Sequence, residues 1–163
     1  MAGHTDNEIH VRAPFDLVWT VANDVERWPE LFAGEYASAA VLDLAKDRVR
    51  FRLTTAPRPD GAVYSWVSER YLDRDAGTVT ARRVEPGPFH YMHIFQSFTP
   101  EGGGVRVRWV QDFSARPDAP FTDAQMQARI DAASAANLRR HKEVIEGLAA
   151  QAAVPAGVSG GEA

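Results

Sequence analysis

FTDAQMQARIDAASAANLRRHKEVIEGL, Phe121–Leu148, is the stretch that decides the fold. Met126, Ile130, Ala133, Asn137, His141, Val144 and Leu148 recur every three or four residues, the period of one helix face, and Pro117 and Pro120 stand just before it. The spacing predicts one long terminal helix of about thirty residues, opened by Phe121. A helix with a single apolar stripe needs a surface to bury that stripe against.

The chain upstream supplies such a surface. From Glu35 to about Ser114 the period is two, and turn signals divide the apolar runs: Lys46-Asp47, Pro57 to Gly61, Asp73 to Gly77, Glu85 to Pro88 and Gly102 to Gly104. The result is an antiparallel meander of six strands. Arg48, Arg50 and Arg52 alternate with Val49, Phe51 and Leu53, so one face of that strand meets water and the other a core or cavity. Nearer the start, Glu8–Ala13 alternates like a half-buried strand, and Pro14 sits where a first-turn helical proline belongs. Phe15, Val18, Trp19 and Ala22 then fall at helical spacing. Trp28-Pro29 starts a second short helix through Leu31 and Phe32.

A strand, two short helices, six more strands and a long helix bury all their apolar faces only if the sheet curves around the helix. The fold class is therefore α+β of the helix-grip type, with a curved seven-stranded antiparallel sheet around the C-terminal helix and an interior cavity where sheet and helix part. Residues 1–152 form this one domain, and 153–163 read as a flexible tail of small residues.

Composition narrows the function. With 163 residues and 45% hydrophobic content, the chain has the size of one globular domain with a real core. A net charge of -4 with scattered Lys and Arg offers no basic stripe for nucleic acid. The absence of cysteine removes disulfides, thiolate metal sites and cysteine nucleophiles. No run approaches the ~18 apolar residues of a membrane span, so a soluble cytoplasmic protein is expected. His90 and His93, three apart on a strand, should point to opposite faces and give no metal spacing; Gly102–Gly104 lacks the Lys-Ser/Thr of a phosphate loop; and no G-x-S-x-G elbow exists.

The remaining signal is polar residues in apolar rows. In Val63–Tyr71 either Tyr64, Trp66, Ser68 and Arg70 or the odd set lies inside; the even choice places an arginine in an aromatic interior, costly unless it works on a ligand. Val79, Ala81 and Arg83 share a face, as do His90, Met92, Ile94, Gln96 and Phe98, and Val105, Val107, Trp109, Gln111 and Phe113. Asn137 interrupts the stripe of the long helix. Gln96, Gln111 and Asn137 could satisfy one another or buried water, and arginines on sheets are more often exposed.

Ala13–Phe32 (APFDLVWTVANDVERWPELF), Tyr64–Arg70 (YSWVSER), Arg83–Met92 (RVEPGPFHYM) and Arg108–Phe113 (RWVQDF) resemble the single-domain aromatase/cyclases of bacterial type II polyketide synthases, of the tetracenomycin and spore-pigment types. The likeness runs in order over about the first 150 residues. It implies a helix-grip enzyme that takes a linear poly-β-ketone carried on an acyl carrier protein, supplied by minimal polyketide synthase components. The enzyme closes the first ring by an aldol reaction, joining carbons nine and fourteen, and dehydrates it. It needs no cofactor, binds neither nucleic acid nor membrane, and works as a monomer or weak homodimer.

Carried over residue by residue, the resemblance makes Arg70 and Tyr36 catalytic. It makes Trp28, Phe32, Phe51, Trp66, Ser68, Arg83, Phe89, Met92, Gln96, Trp109, Gln111 and Asn137 substrate-binding. Two departures, an extra residue between Phe32 and Tyr36 and Gln96 in place of a tryptophan, bear on pocket width. A non-catalytic carrier of lipids or hydrophobic metabolites would share the fold and would have no need of Arg70.

Overall fold

The computed structural model describes residues 2–32 and 34–153. Strand β1 spans Gly3–Val11, helix α1 Phe15–Asn23, a 3-10 turn Val25–Arg27 and the short helix α2 Trp28–Leu31. Six strands follow: β2 (Tyr36–Ala45), β3 (Arg48–Thr55), β4 (Ser65–Asp73), β5 (Thr78–Arg83), β6 (Phe89–Glu101) and β7 (Gly104–Ala115). Helix α3, Asp123–Ala153, closes the described chain. Of the tail expected at 153–163, Ala153 ends α3 and residues 154–163 lie outside the described residues. Among the described residues no helix is long and apolar enough to cross a membrane.

The sheet order is β1-β7-β6-β5-β4-β3-β2, and each neighbouring pair is antiparallel. Five hairpins build β2 to β7, while β1 is added to the far edge beside β7, so α1 and α2 carry the chain from one edge of the sheet to the other. The expected turns all fall between strands. At one of them Gly77 has φ +68°, and a Cβ there would sit 2.5 Å from the Phe98 carbonyl oxygen, so the β4–β5 turn can press against β6 only through glycine.

Strand β1 begins five residues earlier than the sequence suggested, since GHTDN pairs with the end of β7 from Gly3↔Phe113 onward. Polar residues disguise it. His4 reaches Asp112, Asp6 accepts from Arg108, and Asn7 donates to Asp131 of α3, so cross-strand and strand–helix partners replace apolar alternation.

Helix α3 starts at Asp123, two residues past Phe121. The Thr122 hydroxyl accepts from the Gln125 amide at 3.1 Å and the Gln125 side chain accepts from the Thr122 amide at 2.9 Å, a reciprocal capping box. Phe121 instead packs outside the helix in a cluster with Phe89, Met92, Phe113, Met126 and Ile130. Thr122→Ala is expected to cost about 1 kcal/mol of stability, seen as a lower urea midpoint at unchanged slope.

The stripe the sequence picks out on α3 is part of its packed face, with Met126 and Ile130 against the second cluster and Val144 and Leu148 against the main core, but the most buried residues lie one position along. Its buried residues are Ser134, Leu138 and Ile145, with Leu138 and Ile145 in the main core beside Val11, Val18, Phe51 and Phe98. The adjacent stripe, Ile130, Ala133, Asn137 and His141, borders open space instead. The helix thus seats one edge on the core and turns its neighbouring face to a cavity between the two apolar clusters.

Candidate active site

Between the curved sheet and α3 lies a chamber of about 220 Å³. Strands β3, β4, β5, β6 and β7 contribute Phe51, Trp66, Ser68, Arg70, Ala81, Arg83, Met92, Ile94, Gln96, Trp109 and Gln111, as alternation on a pleated strand requires. Trp28, Tyr36 and Asn137 complete the wall, with Glu35, Arg58, Ser134 and His141, which the sequence had not nominated. A side chamber of about 160 Å³ is bordered by Phe32, Gly34 and Arg140, and shares Glu35, Tyr36, Asn137 and His141 with the main one.

Two nominated residues sit elsewhere than expected. Phe32 lines only the side chamber, and Phe89 lines neither, packing edge-on against Phe113 within the cluster at the start of α3. The same region corrects His90. A bulge between Phe89 and Tyr91 shifts the register, so Phe89 and Met92 both turn inward while His90 and His93 are both exposed, rather than on opposite faces.

Of the two faces open to β4, the even one carries Trp66, Ser68 and Arg70 to the chamber, and Tyr64 precedes the strand as an exposed residue. Arg70 is 4% exposed. One terminal nitrogen donates to Asn23 Oδ1 at 2.7 Å and to Gln96 Oε1 at 3.0 Å. The guanidinium carbon lies 5.2 Å from the centroid of Trp28, and its Nε has no partner among the described residues. Arg83 lies 4.0 Å over Trp66 and 5.1 Å from Phe89. Neither arginine meets a carboxylate among the described residues.

The outer face of the same strands shows the contrast. Glu69, 1% exposed, is covered there by Arg50 at 2.7 Å, by Arg82 and by the Tyr71 hydroxyl; Tyr71 and Arg50 hold its carboxyl below the usual range. Arginines outside share an anion, whereas those inside keep donors free. Burial lowers Arg70 and Arg83 to about 10, still charged at any working pH.

Tyr36 stacks on Trp28, with ring centroids 5.8 Å apart. Burial and then Glu35 push its hydroxyl up, against the pull of Arg70, Arg58 and Arg83, so it holds its proton and can donate. Trp28 Nε1 is a second buried donor without a partner among the described residues. Gln111 donates to Ser134 at 2.7 Å and Gln96 accepts from Arg70, so the three amides do not satisfy one another. Asn23, which ends α1 and which the sequence had not nominated for the site, aims its oxygen at Arg70. Only the buried arginine could have signalled that it needed an acceptor.

A curved sheet gripping a helix, around a chamber walled by aromatic rings and two guanidiniums that make no salt bridge among the described residues, defines a cavity protein with polar donors aimed into an aromatic interior. Residues 2–146 match the family described as polyketide cyclase / dehydrase and lipid transport. Two relatives bear the name "Putative polyketide cyclase". The one from Streptomyces cyaneus is 56% identical over 126 residues, 77% of this chain and 82% of the relative. The one from Streptomyces halstedii is 56% identical over 110 residues, 68% of this chain and 100% of the relative. In fold, the chain is similar to the crystal structure of the Zhui aromatase/cyclase from Streptomyces sp. R1128, with a TM-score of 0.77 at 21% identity, covering 96% of this chain and 99% of that one. The chain belongs to the polyketide cyclase / dehydrase and lipid transport family, and within it stands among the polyketide cyclases as an enzyme of that type.

Proposed function

We propose that the chain is an aromatase/cyclase that receives a linear poly-β-ketone as an acyl-carrier-protein thioester, closes the first ring between carbons nine and fourteen, and dehydrates it. The observation that carries this reading is a buried guanidinium, Arg70, and a part-buried one, Arg83, facing an aromatic-walled chamber with no carboxylate among the described residues in salt-bridge contact with either. Burying such a cation costs free energy that a purely structural role does not repay.

Ring closure has matching needs. The chain must be bent so that a methylene carbon meets a distant ketone, and the ketone oxygen gains negative charge as the carbon–carbon bond forms. Arg70, held by Asn23 and Gln96 on one terminal nitrogen, presents its other terminal nitrogen to that oxygen. Arg83, lying over Trp66, steadies a second oxygen further along the chain. Tyr36 gives a proton to the hydroxyl that leaves on dehydration. Trp28, Trp66 and Trp109 hold the flattening ring and keep bulk water out.

Chamber size bears on substrate length. The main chamber is small against the ~300–1,000 Å³ of pockets that enclose a drug-sized ligand. It suits the segment being cyclised, while the side chamber takes chain beyond it.

The test is reconstitution with a minimal polyketide synthase. Adding the protein is expected to convert a mixture of spontaneously cyclised shunt products into predominantly one ring pattern, with isotope-labelled acetate locating the new bond between carbons nine and fourteen. A product mixture unchanged by the protein refutes the cyclase reading, and a different bond refutes the regiochemistry.

A further inference from the structure

Proton removal is the one requirement of this chemistry that neither arginine nor Tyr36 meets, and it directs attention to a residue the sequence read only as part of a helix stripe. His141 borders both chambers, on the face of α3 that carries Asn137 one turn earlier. Phe32 stacks on its imidazole at 3.9 Å with the planes 5° apart, and Trp109 meets it edge-on at 5.0 Å. Two rings from different elements therefore fix its plane. Among the described residues no protein group bonds to either of its nitrogens. A polar ring so held, with both nitrogens unclaimed at the junction of two cavities, is arranged for a ligand rather than for the fold.

We propose that His141 is the proton relay of the cyclisation, a role that rests on the cyclase reading of the same chamber. A 1,3-diketone unit presents an enol whose C=C electrons attack the ketone carbon, forming the carbon–carbon bond. The ketone π pair moves to its oxygen, which Arg70 faces. The enol O–H bond breaks, its electrons restore a C=O, and its proton passes to the bare nitrogen of His141. Tyr36 then protonates the alkoxide and takes the proton back from the imidazolium, so that the enzyme ends as it began. The groups around the imidazole favour this transience: Arg70 from β4 opposes a second cation, while Arg140 on α3, Arg58, Glu35 and Tyr36 border the same chambers. Burial, and then the charge of Arg70, keeps His141 neutral, its pKa pushed down to about 3. It therefore starts each cycle unprotonated, and it takes the proton only as negative charge develops on the substrate oxygen, which raises its basicity at that moment.

Two variants and two readouts test the relay. His141→Phe keeps an aromatic ring for Phe32 and Trp109 but has no nitrogen; His141→Gln keeps hydrogen-bonding atoms but cannot carry a proton. In the reconstituted synthase both are expected to lower the ratio of directed to shunt product at least tenfold. Their affinity for 1-naphthol, a stand-in for the fused-ring product followed by tryptophan fluorescence, should stay within about threefold of wild type, as expected when only the reacting state is affected. Wild-type partitioning by His141→Gln reduces the residue to a hydrogen-bonding wall and overturns the relay, as does wild-type partitioning by His141→Phe. Loss of naphthol binding in parallel with activity would make His141 structural and overturns it too. Should one variant fail to fold, the other decides. If wild type itself leaves the shunt mixture unchanged, it is the cyclase reading that falls; if wild type directs the product and the folded variants do as well, only the relay does.

Discussion

Arg70→Met is expected to abolish directed ring closure while leaving the fold intact or firmer. Ring-directed product should fall about 10²-fold or more, the usual consequence of removing one preorganised donor to a developing oxyanion. Stability should move the other way. Replacing a buried charge that lacks a counter-ion by an apolar chain of similar volume removes a desolvation cost, so stability should be unchanged or raised. Arg70 has no carboxylate to lose, and the oxygens it leaves, on Asn23 and Gln96, border a chamber that admits water. Arg70→Lys should recover only part of the activity, because an ammonium restores charge without the planar fork that reaches Asn23, Gln96 and a substrate oxygen together. The measurements are product partition in the reconstituted synthase and thermal melting of the three proteins. A melting point that falls several degrees alongside activity would show Arg70 to be a structural residue.

That expectation rests on which way β4 faces, and the sequence went far toward reading it. Strict alternation in Arg48–Leu53 oriented β3 but left both faces of β4 open; the pairing of Val49 with Arg70, Phe51 with Ser68 and Leu53 with Trp66 selects the even face. What alternation could not supply was any feature that breaks it. The bulge at Phe89–Tyr91 exchanges Phe89 for His90, and nothing in the local composition announces the extra residue. The start of β1 was hidden because its partners are polar and distant, Asp112 and Arg108 on β7 and Asp131 on α3. The stripe on α3 was read without its most buried neighbours because the helix has two adjacent duties. Leu138 and Ile145 pack, while Asn137 and His141 line the chambers, and a single period fits both stripes nearly as well. His141 was therefore visible as a member of the repeat but not as a functional group. Its distinction comes from Phe32 and Trp109, which only the folded chain brings to it.

The same burial gives the protein an acid-sensitive element with a definite sign. The imidazole of His141 has an ordinary pKa of 6.5 and is pushed down to about 3 in the fold, first by burial and then by Arg70. Between those values the unfolded chain binds a proton that the folded chain refuses, so folding stability is fully present above pH 6.5 and drains as the pH falls toward 3. At about pH 4.5 the loss should amount to roughly 3 kcal/mol, two pH units at about 1.4 kcal/mol each. Carboxylates held low in the fold, such as Glu69 and Asp6, also lose stability in acid, but they are common to wild type and variant and cancel in the difference. Urea unfolding at pH 7 and pH 4.5 should therefore show wild type losing about 3 kcal/mol more than His141→Phe. Arg70→Met should shrink that excess, since it removes the cation that His141 faces. Equal losses in wild type and His141→Phe would mean that the ring is hydrated and protonates freely. It would then carry a proton before the substrate arrived and could not begin the cycle as an acceptor.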